Sequence, residues 1–448
     1  MSRASTMRQP VSPGVPAKRS PAHAAPRRRT LGLGPKASIG LLASILISLL
    51  ASSSAPTPLY AIYQQHWGFS PITITVVFGV YALAVLVSLL IFGRISDQVG
   101  RRPVLLTALI VQALAMVVFI TAGDVGALLT ARVLQGLSTG AAVGALGAGM
   151  LDIDARKGGF LNSFAPTLGT ASGAFASGLI VQYLPAPTHL VYVVLLGVFV
   201  LQALAVFALN ETVSRKPGAL SSIVPEFKLP RSARASMAIA APVMFAVWAL
   251  TGLYGALGPA ITQTLVHSTS VVWGGLPLFV LAGSAGLAVV ILRGAGTRTM
   301  MLISVGTLVV GVVITLGSIG SGTGGTPSVI GFFLGGAISG FGFGSGFQGG
   351  IRLVVPQVKP HERAGVLSLL YVVCYVGLGV PAVIAGLLVV HGGGLIQTSR
   401  EYGVAVIVLA LAAAIGLLLS GRRVERVAVV RSETALAEAA PVAQISEV

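Results

Sequence analysis

Twelve apolar runs follow one another between residues 37 and 420, each long enough to cross a bilayer as a helix and joined to the next by a short polar loop. A lipid-exposed chain must satisfy its backbone hydrogen bonds internally, so runs of this kind fold as helices. The pattern predicts an all-α polytopic membrane protein. The runs fall near 37–60, 72–93, 103–122, 126–151, 158–183 and 188–209, then 236–263, 270–292, 299–319, 326–351, 363–390 and 401–420. A polar, basic linker at 210–235 divides them into six and six. Two six-helix bundles are therefore expected, at 37–209 and 236–420. Residues 1–36, rich in Pro, Ser, Ala and Arg, read as a disordered basic tail, and 421–448 as a second, charged tail. Composition agrees: 54% of residues are hydrophobic and 9% charged, where a soluble domain is about a quarter charged.

The formal net charge is +17, an excess that in a soluble chain would suggest nucleic acid. Its placement argues otherwise, and no nucleic-acid motif accompanies it. Arginines and lysines crowd the first tail and then alternate loops: Arg94, Arg101 and Arg102; Arg156 and Lys157; the linker; Arg293 and Arg298; Arg352, Lys359 and Arg363; and the last tail. The other loops hold only Arg400, and only Arg132 lies inside a span. By the positive-inside rule this predicts a multi-pass protein of the plasma (inner) membrane with both termini in the cytoplasm. The run Ile39–Leu50 followed by small residues could pass for a signal peptide, but its basic leader is long and its removal would spoil the orientation. The single cysteine, Cys374, cannot form an intramolecular disulfide and reads as a packing residue.

The two halves share a repeat. Gly136, Gly140 and Gly144 of the fourth span align with Gly336, Gly340 and Gly344 of the tenth, an offset of 200. The loops that follow also correspond, Ala155–Gly158 with Glu362–Gly365, as do Pro58 and Pro259 in the first and seventh spans. Between the second and third spans stands Gly93-Arg94-Ile95-Ser96-Asp97-Gln98-Val99-Gly100-Arg101-Arg102. This stretch resembles the signature loop of the major facilitator superfamily of secondary transporters, G-x-x-x-D-x-x-G-R-[RK], at every fixed position. The loop Arg293–Arg298 looks like an eroded copy without the aspartate. Gly93 and Gly100 permit close approach and a sharp turn. Arg101 and Arg102 can pair with lipid phosphate or nearby acids. The resemblance implies that Asp97 faces the start of the eleventh span when the transporter is closed to the cytoplasm, where a helix N-terminus favours an anion. The alternative is a solvated loop that only sets topology.

Two further stretches extend the resemblance. Arg132, Gln135, Gly136 and Gly140 fit the second motif, R-x-x-x-G-x-x-x-G with Gln before the first Gly. An arginine inside a span is costly and faces the protein interior or water. The resemblance implies proton or substrate handling, and the alternative is a structural arginine bonded to carbonyls of the first span. Ala165-Pro166-Thr167-Leu168-Gly169 partly matches the antiporter motif G-P-x-x-G-G, with Pro166 and Gly169 at the expected helix bend. In this superfamily the first, fourth, seventh and tenth spans line the cavity, which nominates Ser48, Ser52, Gln135, Trp248, Tyr254 and Gln348.

No Asp, Glu or His falls in mid-span. A neutral or weakly charged, rather hydrophobic substrate is therefore expected. Nothing resembles a phosphate-cradling loop, a metal-ligand spacing or a nucleophile with its base, so no enzyme activity, cofactor or metal is expected. The expectation is a monomeric, alternating-access transporter in the lipid bilayer. It would export a small drug-like compound by proton-linked antiport. The rivals are an uptake carrier for a sugar or organic acid and a non-transporting receptor.

Overall fold

The computed structural model describes residues 32–93, 95–213, 229–268, 270–320, 325–359 and 362–439. Among these the chain is helical, without strands. The first span is α1 (Pro35–Ser54), a single 3-10 turn at Thr57–Leu59, and α2 (Tyr60–Trp67). Pro56 and Pro58 remove two backbone donors there, so the helix cannot continue unbroken. Next come α3 (Pro71–Phe92), the short α4 (Ser96–Val99), α5 (Arg101–Ile120), α6 (Val125–Ile153), α7 (Ala155–Tyr183) and α8 (Leu190–Val206). The second half begins with α9 (Arg234–Ala256) and α10 (Gly258–Val266), separated at Leu257 just before Pro259. It continues with α11 (Val272–Ile291), α12 (Thr297–Gly320), α13 (Gly325–Val354), α14 (Arg363–His391) and α15 (Gly394–Ala439).

Among the described residues eleven spans are long and apolar enough to cross a membrane, and α8, at 17 residues, is the twelfth and shortest. Large apolar side chains such as Leu83, Ile110, Leu201, Leu287, Ile330 and Val408 stand exposed on many helices. In water so much exposed apolar surface would drive aggregation, whereas lipid accepts it. The spans start and stop close to expectation, with two differences. The first runs on past residue 60 to Trp67. The last begins seven residues early and continues through the residues read as a charged tail, to Ala439.

Helices α1 to α8 pack among themselves, as do α9 to α15, and the halves meet where α7 lies on α11 and α3 on α14. The repeat is visible in the packing. Gly140 of α6 lies on the backbone of α3, where a methyl would fall 2.5 Å from the Val85 carbonyl oxygen. Gly340 of α13 lies on α11, where a methyl would overlap the Leu281 carbonyl. Gly144 and Gly344 continue the two contacts one turn on, against Gly93 and Ala285. Glycines at a spacing of four give each helix a smooth face for close approach.

Candidate functional site

The loop from Gly93 to Arg102 marks one end of the bundle, the loop end; the other is the far end. At the loop end α4 and α5 join through Gly100, whose φ of +106° only glycine adopts without strain. The Arg101 guanidinium is gripped by Asp97 at 2.5 Å, Ser96 at 2.6 Å and Asp152 of α6 at 3.4 Å. Glu211, just past α8, accepts the first two backbone N–H groups of α5, Arg101 at 2.8 Å and Arg102 at 3.0 Å. It also accepts from Thr212 and Val213, and the Thr212 hydroxyl bonds Asp152 at 3.0 Å. Arg102 lies over the ring of Phe207. Sequence reasoning does not reach Asp152 and Glu211 as partners of this loop, because they stand 51 and 110 residues from Arg101. A cavity of about 220 Å³ lies beside the network, between the start of α1 and the end of α6. Next to it Asp154 caps α7, and the N–H of Lys157 holds its carboxyl below the usual carboxylate range.

Arg132 is 0% exposed and has no carboxylate beside it among the described residues. Its Nη1 donates to the Ser53 carbonyl at 2.8 Å and to Gln135 Oε1 at 2.6 Å. Its Nε donates to the Tyr60 hydroxyl at 3.0 Å, and Nη2 donates to the same oxygen. The rings of Tyr60, Tyr81 and Phe119 surround it at 5.6, 5.3 and 5.9 Å. The cation is thus held by neutral oxygens and ring faces, which stabilise it without cancelling its charge. At the offset of 200 its counterpart is Phe332, 1% exposed and stacked on Tyr254 at 5.4 Å. The fold fills the equivalent place with a hydrocarbon ring, so packing alone does not call for an arginine here.

The polar residues nominated for the cavity point in different directions. Gln135 donates to the Ser52 carbonyl, and the Ser52 hydroxyl meets Gln112 of α5 at 2.8 Å. Ser48 meets Gln202 of α8 at 2.9 Å. Tyr254 bonds Thr315 of α12 at 2.8 Å. Ser48, Ser52 and Tyr254 thus turn towards neighbours within their own half. Trp248 differs: its ring packs against Phe343, Phe347 and Tyr375, in a cluster that also takes in Phe78, Tyr81 and Leu86 of α3. This aromatic face therefore spans the two halves. The Trp248 indole N–H is buried in it without a hydrogen-bond partner, and the Gln348 side-chain oxygen is likewise unpartnered. Buried polar atoms of folded chains nearly always find partners, so these two call for a reason. Gly136 packs on the Tyr81 carbonyl, and Gly169 packs on α1 against Leu50, three residues after Pro166 inside α7.

The far end is shut. Gly275 of α11 lies on the Ala174 carbonyl of α7, Gly274 on Pro58, Gly178 on Val272, and Gly386 of α14 on Thr75 of α3. Phe175 stacks on Phe279 across the same boundary at 4.7 Å. At the loop end, no hydrogen bond or ion pair joins the halves among the described residues. Asp97 bonds Arg101 of its own half and stands more than half exposed.

Two bundles of six spanning helices, with a signature loop at one end and a buried arginine in the fourth span, define a polytopic membrane protein of the transporter type. The sequence profile of the Major Facilitator Superfamily matches residues 41–316, and the chain belongs to that family. A stretch of 64 residues is 44% identical to multidrug resistance protein D of Escherichia coli (strain K12), covering 14% of this chain and 16% of that protein. Among solved structures the chain resembles the nucleoside transporter NupG, with TM-score 0.63 and 14% identity over 86% of this chain and 99% of that one. It also resembles the POT family transporter PepTSo, with TM-score 0.69 and 11% identity over 86% of this chain and 98% of that one. At these identities the likeness is one of fold.

Proposed function

We propose that this chain exports a small, hydrophobic, ring-bearing organic compound by alternating access of its two halves. The observation that carries the reading is the aromatic face between the halves, built from Trp248, Phe343, Phe347, Tyr371 and Tyr375 with Tyr81 opposite. Aromatic walls bind apolar rings over a broad range of shapes. A carboxylate to hold a substrate cation is absent from that face among the described residues. The short match to a multidrug resistance protein supports export over uptake.

With the basic loops facing the cytoplasm, the loop end is the cytoplasmic one, and the described state is closed to the outside. Asp97, bonded here within its own half, is then free to meet the start of α14 when the cytoplasmic side closes. Export is coupled in this reading to inward proton movement, and Arg132 holds a fixed positive charge among neutral oxygens, which disfavours a second cation nearby. Flux across proteoliposomes from a panel of aromatic compounds, with and without an imposed pH gradient, tests the reading. Outward movement that grows with an inward proton gradient supports it. Flux that ignores the gradient removes the proton, and sugar or organic-acid uptake would replace the reading.

A further inference from the structure

Across the seam between the halves, the hydrogen bonds among the described residues converge on a single side chain. Gln182, one residue from the end of α7, accepts from the Val271 backbone N–H at 3.0 Å and from the Ser270 hydroxyl at 3.1 Å. Val271 is the N-cap of α11, so Gln182 satisfies a helix-end donor that α11 cannot satisfy itself. It does so from the opposite half. The rest of the seam at this end, among the described residues, is packing without hydrogen bonds: Gly178 lies on Val272, Gly275 on Ala174 and Gly386 on Thr75, and Phe175 stacks on Phe279. Such contacts give close packing but carry little directional preference. If α7 and α11 part, the Val271 N–H and the Gln182 carbonyl must find water together.

We infer that Gln182 is the polar clasp of the far end and sets how often that end opens. It is a positioning residue for the transport cycle, acting through α11 rather than on a solute. The inference rests on the alternating-access reading, though not on the identity of the substrate. It makes opposite demands on two substitutions. Gln182→Ala removes both acceptor contacts, and the loss of two exposed hydrogen bonds shifts an equilibrium by about fivefold. Gln182→Glu keeps an acceptor oxygen and adds a negative charge at a helix N-terminus, which is favourable by roughly two- to fivefold.

The test uses the full-length protein in lipid nanodiscs, with Cys374→Ala as background and spin labels on Gln65→Cys of α2 and Thr264→Cys of α10. Both sites are exposed at the far end, one on each half. The expected result is a far-end-open, long-distance population about fivefold larger in Gln182→Ala and roughly two- to fivefold smaller in Gln182→Glu, with melting temperatures close to the parent. Unchanged distance distributions in both variants, or a shift of the same sign in both, would overturn the clasp. Flux assays on the same samples separate the two ideas. A parent protein that moves no compound defeats the transport reading, while the distances still judge the clasp.

Discussion

Arg132 and Phe332 occupy equivalent places in the two halves, four residues before the repeated glycines Gly136 and Gly336, and both are buried to within 1%. One half buries a cation and the other a ring. Because the same architecture closes around phenylalanine, the arginine stands out as a departure from what the fold needs. A buried charge without a counter-ion is expensive and persists where it has a task.

Arg132→Lys retains the charge but cannot reach the Ser53 carbonyl, Gln135 and Tyr60 at once. Transport is expected to fall at least tenfold while membrane abundance holds. Arg132→Met should instead cost about 1–3 kcal/mol of stability, because buried acceptors lose their donor. Flux and thermal melting of both variants check the pair; parent-like flux in Arg132→Lys would return the residue to a structural role.

Asp97 is more than half exposed and bonds only within its own half among the described residues. An exposed ion pair contributes about 0.2–1 kcal/mol, so Asp97→Asn should leave melting nearly unchanged. Transport should nevertheless drop, because in the proposed cycle Asp97 meets the start of α14 when the loop end closes. Parent-like transport rates in a well-expressed variant would contradict this.

Gly100→Ala meets two obstacles, a φ of +106° and a methyl placed 2.6 Å from the Glu211 carboxylate. The clash displaces the group that caps α5. A loss of about 1–3 kcal/mol and reduced membrane abundance are expected. Gly283→Ala, with open space around its methyl, is the control and should behave as the parent.

Asp154 carries a pH expectation. Its carboxyl is held below its ordinary range in the folded chain. The stabilisation is therefore present above the carboxylate's ordinary pKa and lost as pH falls through the lowered folded value. Asp154→Asn should show a flatter acid limb in a plot of melting temperature against pH; an unchanged limb would show that the cap does not contribute there.

The repeat and most span boundaries are legible in the sequence because spacing and hydropathy are local. The correspondence of Pro58 with Pro259 is legible too, and in the structure each stands at a helix break, where its missing N–H removes a donor. Side-chain direction is not. The spans are apolar around most of their circumference, so nothing in the sequence of α1 tells Ser48, turned to Gln202, from a serine turned to the centre. Glu211 is equally hidden. In sequence it is one acid at the start of a basic linker, and only the fold brings it to the first N–H groups of α5.

In the proposed cycle the far end must open for a solute to leave. Gly178 and Val272 face each other across the seam, with a methyl at 178 lying 3.3 Å from the Val272 Cα. A Gly178→Cys/Val272→Cys pair, bridged by oxidation, should stop flux in proteoliposomes, and reduction should restore it. Undiminished flux with the bridge fully formed would show that this end need not open.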